Sequence, residues 1–178
     1  MPKLIDFRFW DGDFNTATSK FDCGNEEINQ YLKSKCRDEL TQFTERLILV
    51  ADEKNIYGFI SVSLNEMRTS FFKEQNFSVI QVNAIGIDWN HQNKGFGTQL
   101  LLTAFQLALT INQFIPIGGL FLVALSEAFE FYEKFDLTNL NAPPQMVPMQ
   151  NEFQMVISIQ QIESLGLSPF TDVINFSG

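Results

Sequence analysis

A strand that leads through a short glycine-bearing loop into an amphipathic helix constrains the fold of this chain more than any other feature. Residues 77–87 have the apolar pattern of a β-strand, interrupted by Asn83 and Gly86. Apolar residues then recur at helical spacing over residues 97–112, and residues 120–125 form an apolar run typical of a buried strand. A strand, a helix and a second strand in this order predict an α/β architecture with parallel neighbours in the sheet.

The segments on either side extend this unit into a mixed sheet. Residues 46–51 and 56–64 are β-rich runs on either side of a polar turn, which predicts an antiparallel hairpin. Asn25 is a predicted helix cap, and a further helix is predicted from Ser126 to Phe135. A last strand is predicted at 153–159, before a weakly structured tail. We therefore predict a single domain over residues 1–178, with its core at about 20–160.

Composition and charge limit the classes of partner. The chain has 21 acidic and 12 basic residues, a net charge of −9 near pH 7, and its first 46 residues combine seven basic residues with nine acids. The chain therefore has no basic stripe that would bind nucleic acid. A cationic, amine-bearing substrate suits its negative electrostatic potential better. Cys23 and Cys36 are too few for a disulfide framework or a metal site. Without a signal peptide or a long apolar run, we expect a cytoplasmic protein that does not enter membranes.

The loop between the strand and the helix is a candidate anion site. In the segment 92–97 (Gln-Asn-Lys-Gly-Phe-Gly), two glycines open the helix. A helix start offers unpaired N–H groups, and glycines remove the Cβ atoms that would block a pyrophosphate. Lys94 adds a point charge and Thr98 a hydroxyl. The phosphate-loop motif GxxxxGK[ST] is absent, and on spacing alone the two glycines are also compatible with an ordinary helix entrance.

Two motifs resemble those of the GNAT N-acetyltransferase superfamily. Gln92, Gly95 and Gly97 occupy the matching positions of its acyl-CoA-binding motif Q/R-x-x-G-x-G/A, and residues 85–88 (Ile-Gly-Ile-Asp) resemble the end of its central strand. Residues 128–135 resemble its second signature, A-x-x-F-Y-x-K-x-G-F, although Asp136 stands where glycine is usual. Asp tolerates the left-handed conformation that ends this helix better than most residues do.

The resemblance implies a fold, a cofactor and a set of roles. It implies a mixed, mostly antiparallel twisted sheet with splayed parallel central strands, flanked by helices, and acetyl-CoA as the acyl donor. The pantetheine would bond to the backbone of one splayed strand, and the loop amides would hold the pyrophosphate. The residues implied in cofactor binding lie on that strand and in the loop that follows it: Ile85, Gly86, Ile87, Gln92, Asn93, Lys94, Gly95, Phe96, Gly97 and Thr98.

The resemblance also implies a catalytic acid, whereas the base and the acceptor stay open. Tyr132 aligns with the tyrosine that protonates the departing CoA thiolate. For the base we retain Glu66, with Asp88 as a second carboxylate and Asn83 as a polar neighbour. His91 is expected to contact the loop or to be exposed to solvent, without taking part in catalysis.

The identity of the amine divides the functional hypotheses. Residues 21–25 (Phe-Asp-Cys-Gly-Asn) resemble the opening of a GNAT subgroup that includes toxins acetylating aminoacyl-tRNA. Because such toxins need basic surface, the charge favours an amine on a small molecule or protein, with tRNA as the runner-up. A non-catalytic domain that binds acyl-CoA is the alternative from another class, and exposed sheet edges leave a homodimer open.

Overall fold

The computed structural model describes residues 1–35, 41–142, 146 and 149–170. Cys36 and the proline-rich segment with Pro143, Pro144 and Pro148 therefore lie outside the described residues. The strands are β1 (Lys3–Asp6), β2 (Arg46–Ala51), β3 (Ile56–Arg68), β4 (Asn76–Ile87), β5 (Gly119–Leu125), β6 (Thr138–Asn139) and β7 (Glu152–Ser158). The α-helices are α1 (Phe14–Lys20), α2 (Glu26–Lys35), α3 (Thr41–Thr44), α4 (Phe96–Asn112), α5 (Phe129–Glu133) and α6 (Ile159–Ser164).

Hydrogen bonds join the strands into one mixed sheet in the order β1-β2-β3-β4-β5-β7-β6. The pairs β1–β2, β2–β3, β5–β7 and β6–β7 are antiparallel, and the sheet contains one parallel pair. The predicted α/β class and the mostly antiparallel sheet are thus confirmed, as is the hairpin of β2 and β3. The splay of the parallel strands stays a prediction, as does the single domain. No helix in the described ranges is long and apolar enough to cross a membrane.

The chain forms two compact units, to which β3, β4 and α4 each contribute residues. Unit 1 comprises Met1–Ser63 and Val82–Thr103. Its core is built around Phe59, whose ring meets Phe21 edge-on at 5.7 Å and stacks on Tyr31 at 6.4 Å. Asn25 caps α2 as predicted, since its side chain accepts the Ile28 N–H at 3.1 Å. This cap fixes the start of α2 directly after residues 21–25.

Unit 2 comprises residues 64–81 and the residues from 104 onward. Strands β5 and β7 supply its centre, with Leu120, Met155 and Ile157 fully buried. Helix α6 is absent from the sequence prediction. It begins with a capping box in which Ser158 and Gln161 exchange side-chain and backbone hydrogen bonds. Beyond it the chain is tied to α4, because the Gln106 amide donates to the Ser168 carbonyl at 3.0 Å.

Candidate functional site

The loop after β4 has the backbone of an anion-binding turn. The chain leaves β4 at Ile87 and forms one 3-10 turn at Trp89–His91. It then passes through left-handed conformations at Asn93 (φ 60°) and Gly95 (φ 85°) before α4 begins at Phe96. A Cβ added at Gly95 would meet no protein atom within 4 Å. The loop is therefore open to a ligand at the position where the sequence motif has a glycine.

Three backbone N–H groups at the start of α4 are available to such a ligand. The first helical hydrogen bond of α4 runs from the Gln99 N–H to the Gly95 carbonyl at 3.0 Å. The N–H groups of Phe96, Gly97 and Thr98 precede that bond, and the first turn of any α-helix leaves such donors unsatisfied. Because α4 has 17 residues, its dipole adds a positive end at the same place. These groups together can hold a phosphate or pyrophosphate.

Two polar side chains of the loop, Gln92 and Lys94, stabilise its conformation through hydrogen bonds to backbone carbonyls. The Gln92 side-chain amide donates to the Ile87 carbonyl at 3.2 Å and to the Cys23 carbonyl at 3.1 Å. Lys94 is exposed, and its ammonium donates to the Asn90 carbonyl at 2.8 Å. The ammonium is thus kept near the loop. Contact of Gln92, Asn93 or Lys94 with a phosphate stays a prediction.

The end of β4 carries the residues predicted to bond the pantetheine. Ile85 and Ile87 are half-buried, whereas Gly86 is buried. A Cβ at Gly86 would lie 2.8 Å from Ile28 and 2.9 Å from Phe59. Packing therefore requires this glycine, a reason that the sequence analysis did not identify. A role for Ile85, Gly86 and Ile87 in cofactor binding stays a prediction.

Asp88, which follows β4, is engaged within the loop. Its carboxylate is buried, accepts the Asn90 N–H at 3.1 Å and lies 2.8 Å from the His91 Nδ1. The His91 ring also meets Tyr57 edge-on at 4.7 Å. His91 thus contacts the loop, as predicted. Asp88 has the contacts of a structural cap, which weighs against its use as a base.

Unit 2 contains the two predicted catalytic side chains. Tyr132 lies in α5 and is buried, and this burial raises the pKa of its phenol. Beyond the end of α5, Asp136 adopts the left-handed conformation (φ 64°), which aspartate tolerates, at the position where the second signature has a glycine. Glu66 is exposed on β3, where its N–H donates to the Asn65 side chain at 2.8 Å. The catalytic roles of Tyr132 and Glu66 stay predictions.

The residues that brace the loop from outside are missing from the predicted site. The Trp89 N–H donates to the Asp22 carbonyl at 2.7 Å, and the Cys23 carbonyl accepts from Gln92 as described. Asn29 in turn bonds to both Asp22 and Cys23. The sequence signal for these contacts is the motif at 21–25.

The fold is the GNAT acetyltransferase fold that the sequence resemblance predicts. A tyrosine-to-phenylalanine variant of the toxin AtaT, bound to the C-terminus of the antitoxin AtaR and acetyl-CoA, is similar with a TM-score of 0.76. The match has 20% identity and covers 94% of this chain and 99% of that one. AtaT complexed with acetyl-methionyl-tRNAfMet gives 0.75 at 20% identity, covering 94% and 100%.

A tyrosine-to-phenylalanine variant of KacT also gives a TM-score of 0.75 at 20% identity, covering 92% of this chain and 98% of that one. A scan against models of known protein families finds no match. At these identities, the likeness to solved structures establishes the fold.

Proposed function

We propose that this chain is an acetyl-CoA-dependent N-acetyltransferase. The observation that carries the proposal is the start of α4, where three N–H groups and the open Gly95 form an anion site directly after β4. The structures of similar fold include complexes with acetyl-CoA, which supports this proposal. In the proposed complex, the loop binds the pyrophosphate and the backbone of Ile85 and Ile87 bonds to the pantetheine.

The reaction is direct transfer from the thioester to an amine. The neutral amine attacks the acetyl carbonyl carbon, a C–N bond forms, the C–S bond breaks, and CoA leaves as a thiolate. Tyr132 gives that thiolate a proton, and the new amide nitrogen loses one to Glu66 or to solvent. Burial raises the pKa of the Tyr132 phenol, so this side chain stays protonated near neutral pH but is a weaker acid than a free tyrosine. It can give the departing thiolate a hydrogen bond as well as a proton.

For the acceptor, we propose the α-amine of an aminoacyl-tRNA. The expectation of a small-molecule or protein amine is less well supported, because the similar structures include a toxin complexed with acetyl-methionyl-tRNAfMet. An α-amine has a pKa near ~8, so roughly one in ten such groups is neutral near pH 7 and little base catalysis is needed. This acceptor would place the enzyme in the cytoplasm.

The negative charge of the chain is not spread evenly. Unit 1 carries nine of the twelve basic residues with twelve of the 21 acids, whereas unit 2 carries three basic residues and nine acids. Contacts from Lys or Arg to tRNA phosphates would therefore come mostly from unit 1. We expect fewer phosphate contacts than in a basic tRNA-binding protein, and hence a weak dependence of binding on salt.

Donor binding is tested by thermal unfolding with acetyl-CoA. A ligand at about 100 times its Kd stabilises a protein by about 2.7 kcal/mol, which raises the Tm of a domain of this size by about 5–11 °C. Acetyl-CoA should give such a shift and acetate none. No shift at millimolar acetyl-CoA would refute the proposed function.

Acceptor identity is tested by release of free CoA thiol across a panel of aminoacyl-tRNAs. Deacylated tRNA, N-blocked aminoacyl-tRNA, free amino acids, peptides and polyamines are the matched controls. Thiol release with aminoacyl-tRNA alone supports the proposal. Faster release with a polyamine or a peptide would restore the earlier hypothesis, and donor binding without transfer to any acceptor would favour a non-catalytic domain.

A further inference from the structure

Residues 21–25 together with Asn29 form a feature of unit 1 that the proposed reaction does not use. We propose that this N-terminal clamp, as we name it, positions the phosphate loop and so determines the affinity for acetyl-CoA. The inference rests on the proposed function and assigns a task to the motif that the sequence analysis used only for classification.

The clamp bonds to the loop along its backbone. The Asp22 carbonyl accepts the Trp89 N–H at 2.7 Å, and the Asp22 N–H lies 3.4 Å from the Asp88 carboxylate. One residue further, the Cys23 carbonyl accepts the Gln92 side chain at 3.1 Å. The clamp thus contacts the loop at three positions, all before the left-handed turn that leads into α4.

Asn29 of α2 fixes the clamp in turn. Its side chain is 5% exposed, and its Oδ1 accepts the Cys23 N–H at 3.0 Å while its Nδ2 donates to the Asp22 Oδ1 at 2.9 Å. That same Asp22 oxygen accepts the Gly24 N–H at 2.8 Å. A buried amide with both ends bonded holds one arrangement of the segment, because any other would leave polar groups unsatisfied.

Gly24 of the clamp lies close to the ring of Trp89 in the loop. Its backbone is left-handed (φ 83°), and an added Cβ would lie 3.0 Å from the Trp89 ring. The indole therefore lies against the clamp, although Trp89 as a whole is 67% exposed.

The loop needs such support because its anion-binding groups are backbone N–H groups, whose orientation depends on the whole turn. Asn93 and Gly95 both have positive φ, a region that glycine and asparagine enter more readily than other residues do. An anion site built from backbone N–H groups binds well only if those groups are already oriented. The clamp, through Gln92 and Trp89, supplies that orientation from a segment remote in sequence.

The test uses Asp22, which is exposed, so its replacement leaves no cavity in the core. Asp22→Ala removes the acceptor of the Asn29 and Gly24 donors, and we expect the Kd for acetyl-CoA to rise about tenfold. Asp22→Asn keeps that acceptor and should bind at least as tightly as the wild type. Loss of negative charge beside an anion site would by itself tighten binding, so weaker binding of the alanine variant identifies the hydrogen bonds as the cause.

The matched control is Asp13→Ala, which removes an acid that also accepts two hydrogen bonds, both from Thr16, at the start of α1. Its Kd should equal that of the wild type. Calorimetric titration with acetyl-CoA gives the Kd, and thermal unfolding shows that each variant is folded. Asn29→Leu is a second clamp variant and should also weaken binding about tenfold.

A second readout separates positioning of the loop from general damage. S-acetyl-pantetheine lacks the phosphates, so Asp22→Ala should raise the KM for acetyl-CoA and leave kcat unchanged. Its KM for S-acetyl-pantetheine should equal that of the wild type. Equal losses with both donors, or an unchanged Kd in both clamp variants, would overturn the inference and leave the proposed function standing. Absence of acetyl-CoA binding in the wild type would refute both.

Discussion

Replacement of Gly95 by alanine separates the two tasks of the phosphate loop, which are to fold and to bind. Gly95 has φ +85° and no neighbour within 4 Å of an added Cβ. Steric overlap with the protein therefore does not contribute, and the loss of stability is the backbone strain of an L-residue in the left-handed region. That strain is about 1–2 kcal/mol, which lowers the Tm of a domain of this size by about 2–8 °C.

Gly166 offers a control with the same local geometry. It follows α6 with φ +73°, and an added Cβ there also meets nothing within 4 Å. Gly166→Ala should thus destabilise the protein by the same amount as Gly95→Ala. Only Gly95 precedes the open N–H groups, however, so only its new methyl group would obstruct a pyrophosphate.

Thermal unfolding and calorimetric titration with acetyl-CoA measure the two effects separately. We expect similar losses in Tm for the two variants, and an increase in Kd of about tenfold or more for Gly95→Ala alone. Equal Kd values for wild type and Gly95→Ala would refute the assignment of the loop as the pyrophosphate site. A much larger loss of Tm in Gly95→Ala than in Gly166→Ala would refute the assumption that strain alone acts.

Three further variants address catalysis, pH dependence and the C-terminal helix. Tyr132→Phe removes the proposed acid, so kcat should fall by about a hundredfold while the Kd for acetyl-CoA is unchanged; an unchanged kcat would exclude that role. The Tyr57 hydroxyl donates to the Asp52 carboxylate at 2.6 Å and is the main cause that lowers the Asp52 pKa to about 2. Since the folded pKa lies below the unfolded value of about 3.9, this carboxylate stabilises the fold above about pH 4, and its contribution is lost as pH falls through about 2. In Tyr57→Phe, the Asp52 pKa followed by NMR should rise towards about 4; a value still at about 2 would exclude the hydroxyl as its cause. Ser158→Ala removes the cap of α6 and should cost about 1 kcal/mol, with no change in acetyl-CoA affinity; an unchanged Tm would contradict the cap.

The sequence predicted those parts of the fold whose signals are local. The amphipathic pattern predicted a helix at 97–112, and the structure has Phe96–Asn112. Two short β-rich runs and a polar turn predicted the β2–β3 hairpin. Helix α6 was missed because it has only six residues, too few for a periodic pattern. Its start depends on the reciprocal bonds of Ser158 and Gln161, which a scan for periodicity does not detect.

The sequence predicted those features of the candidate site that depend on the backbone conformation of neighbouring residues. Glycine at position 95 predicted an open turn before a helix, and the structure has both features. Gly86 was harder to interpret, because the ligand-approach and packing explanations both require a missing side chain. Close approach of Ile28 and Phe59, distant in sequence, shows that packing requires the glycine, while its role in cofactor binding stays a prediction. The bonds from Asp22 and Cys23 to the loop, which Asn29 supports, span 66 to 69 residues, and no local pattern predicts them.

The surroundings of the phosphate loop contain two carboxylates, those of Asp22 and Asp88, although the proposed ligand is an anion. Each is already bonded to donors: Asp22 to Asn29 and Gly24, and Asp88 to Asn90 and His91. The hydrogen bond from the Asn29 side chain, and to a smaller extent that from the Gly24 N–H, lowers the pKa of Asp22. The carboxylate therefore stays charged and interacts with these donors of the clamp. We therefore expect anion affinity at this site to come mainly from oriented N–H groups at the start of α4, with the ammonium of Lys94 beside the loop. Preorganisation of the backbone, more than the number of lysines, is thus the property that a chain of net charge −9 can use to bind a pyrophosphate.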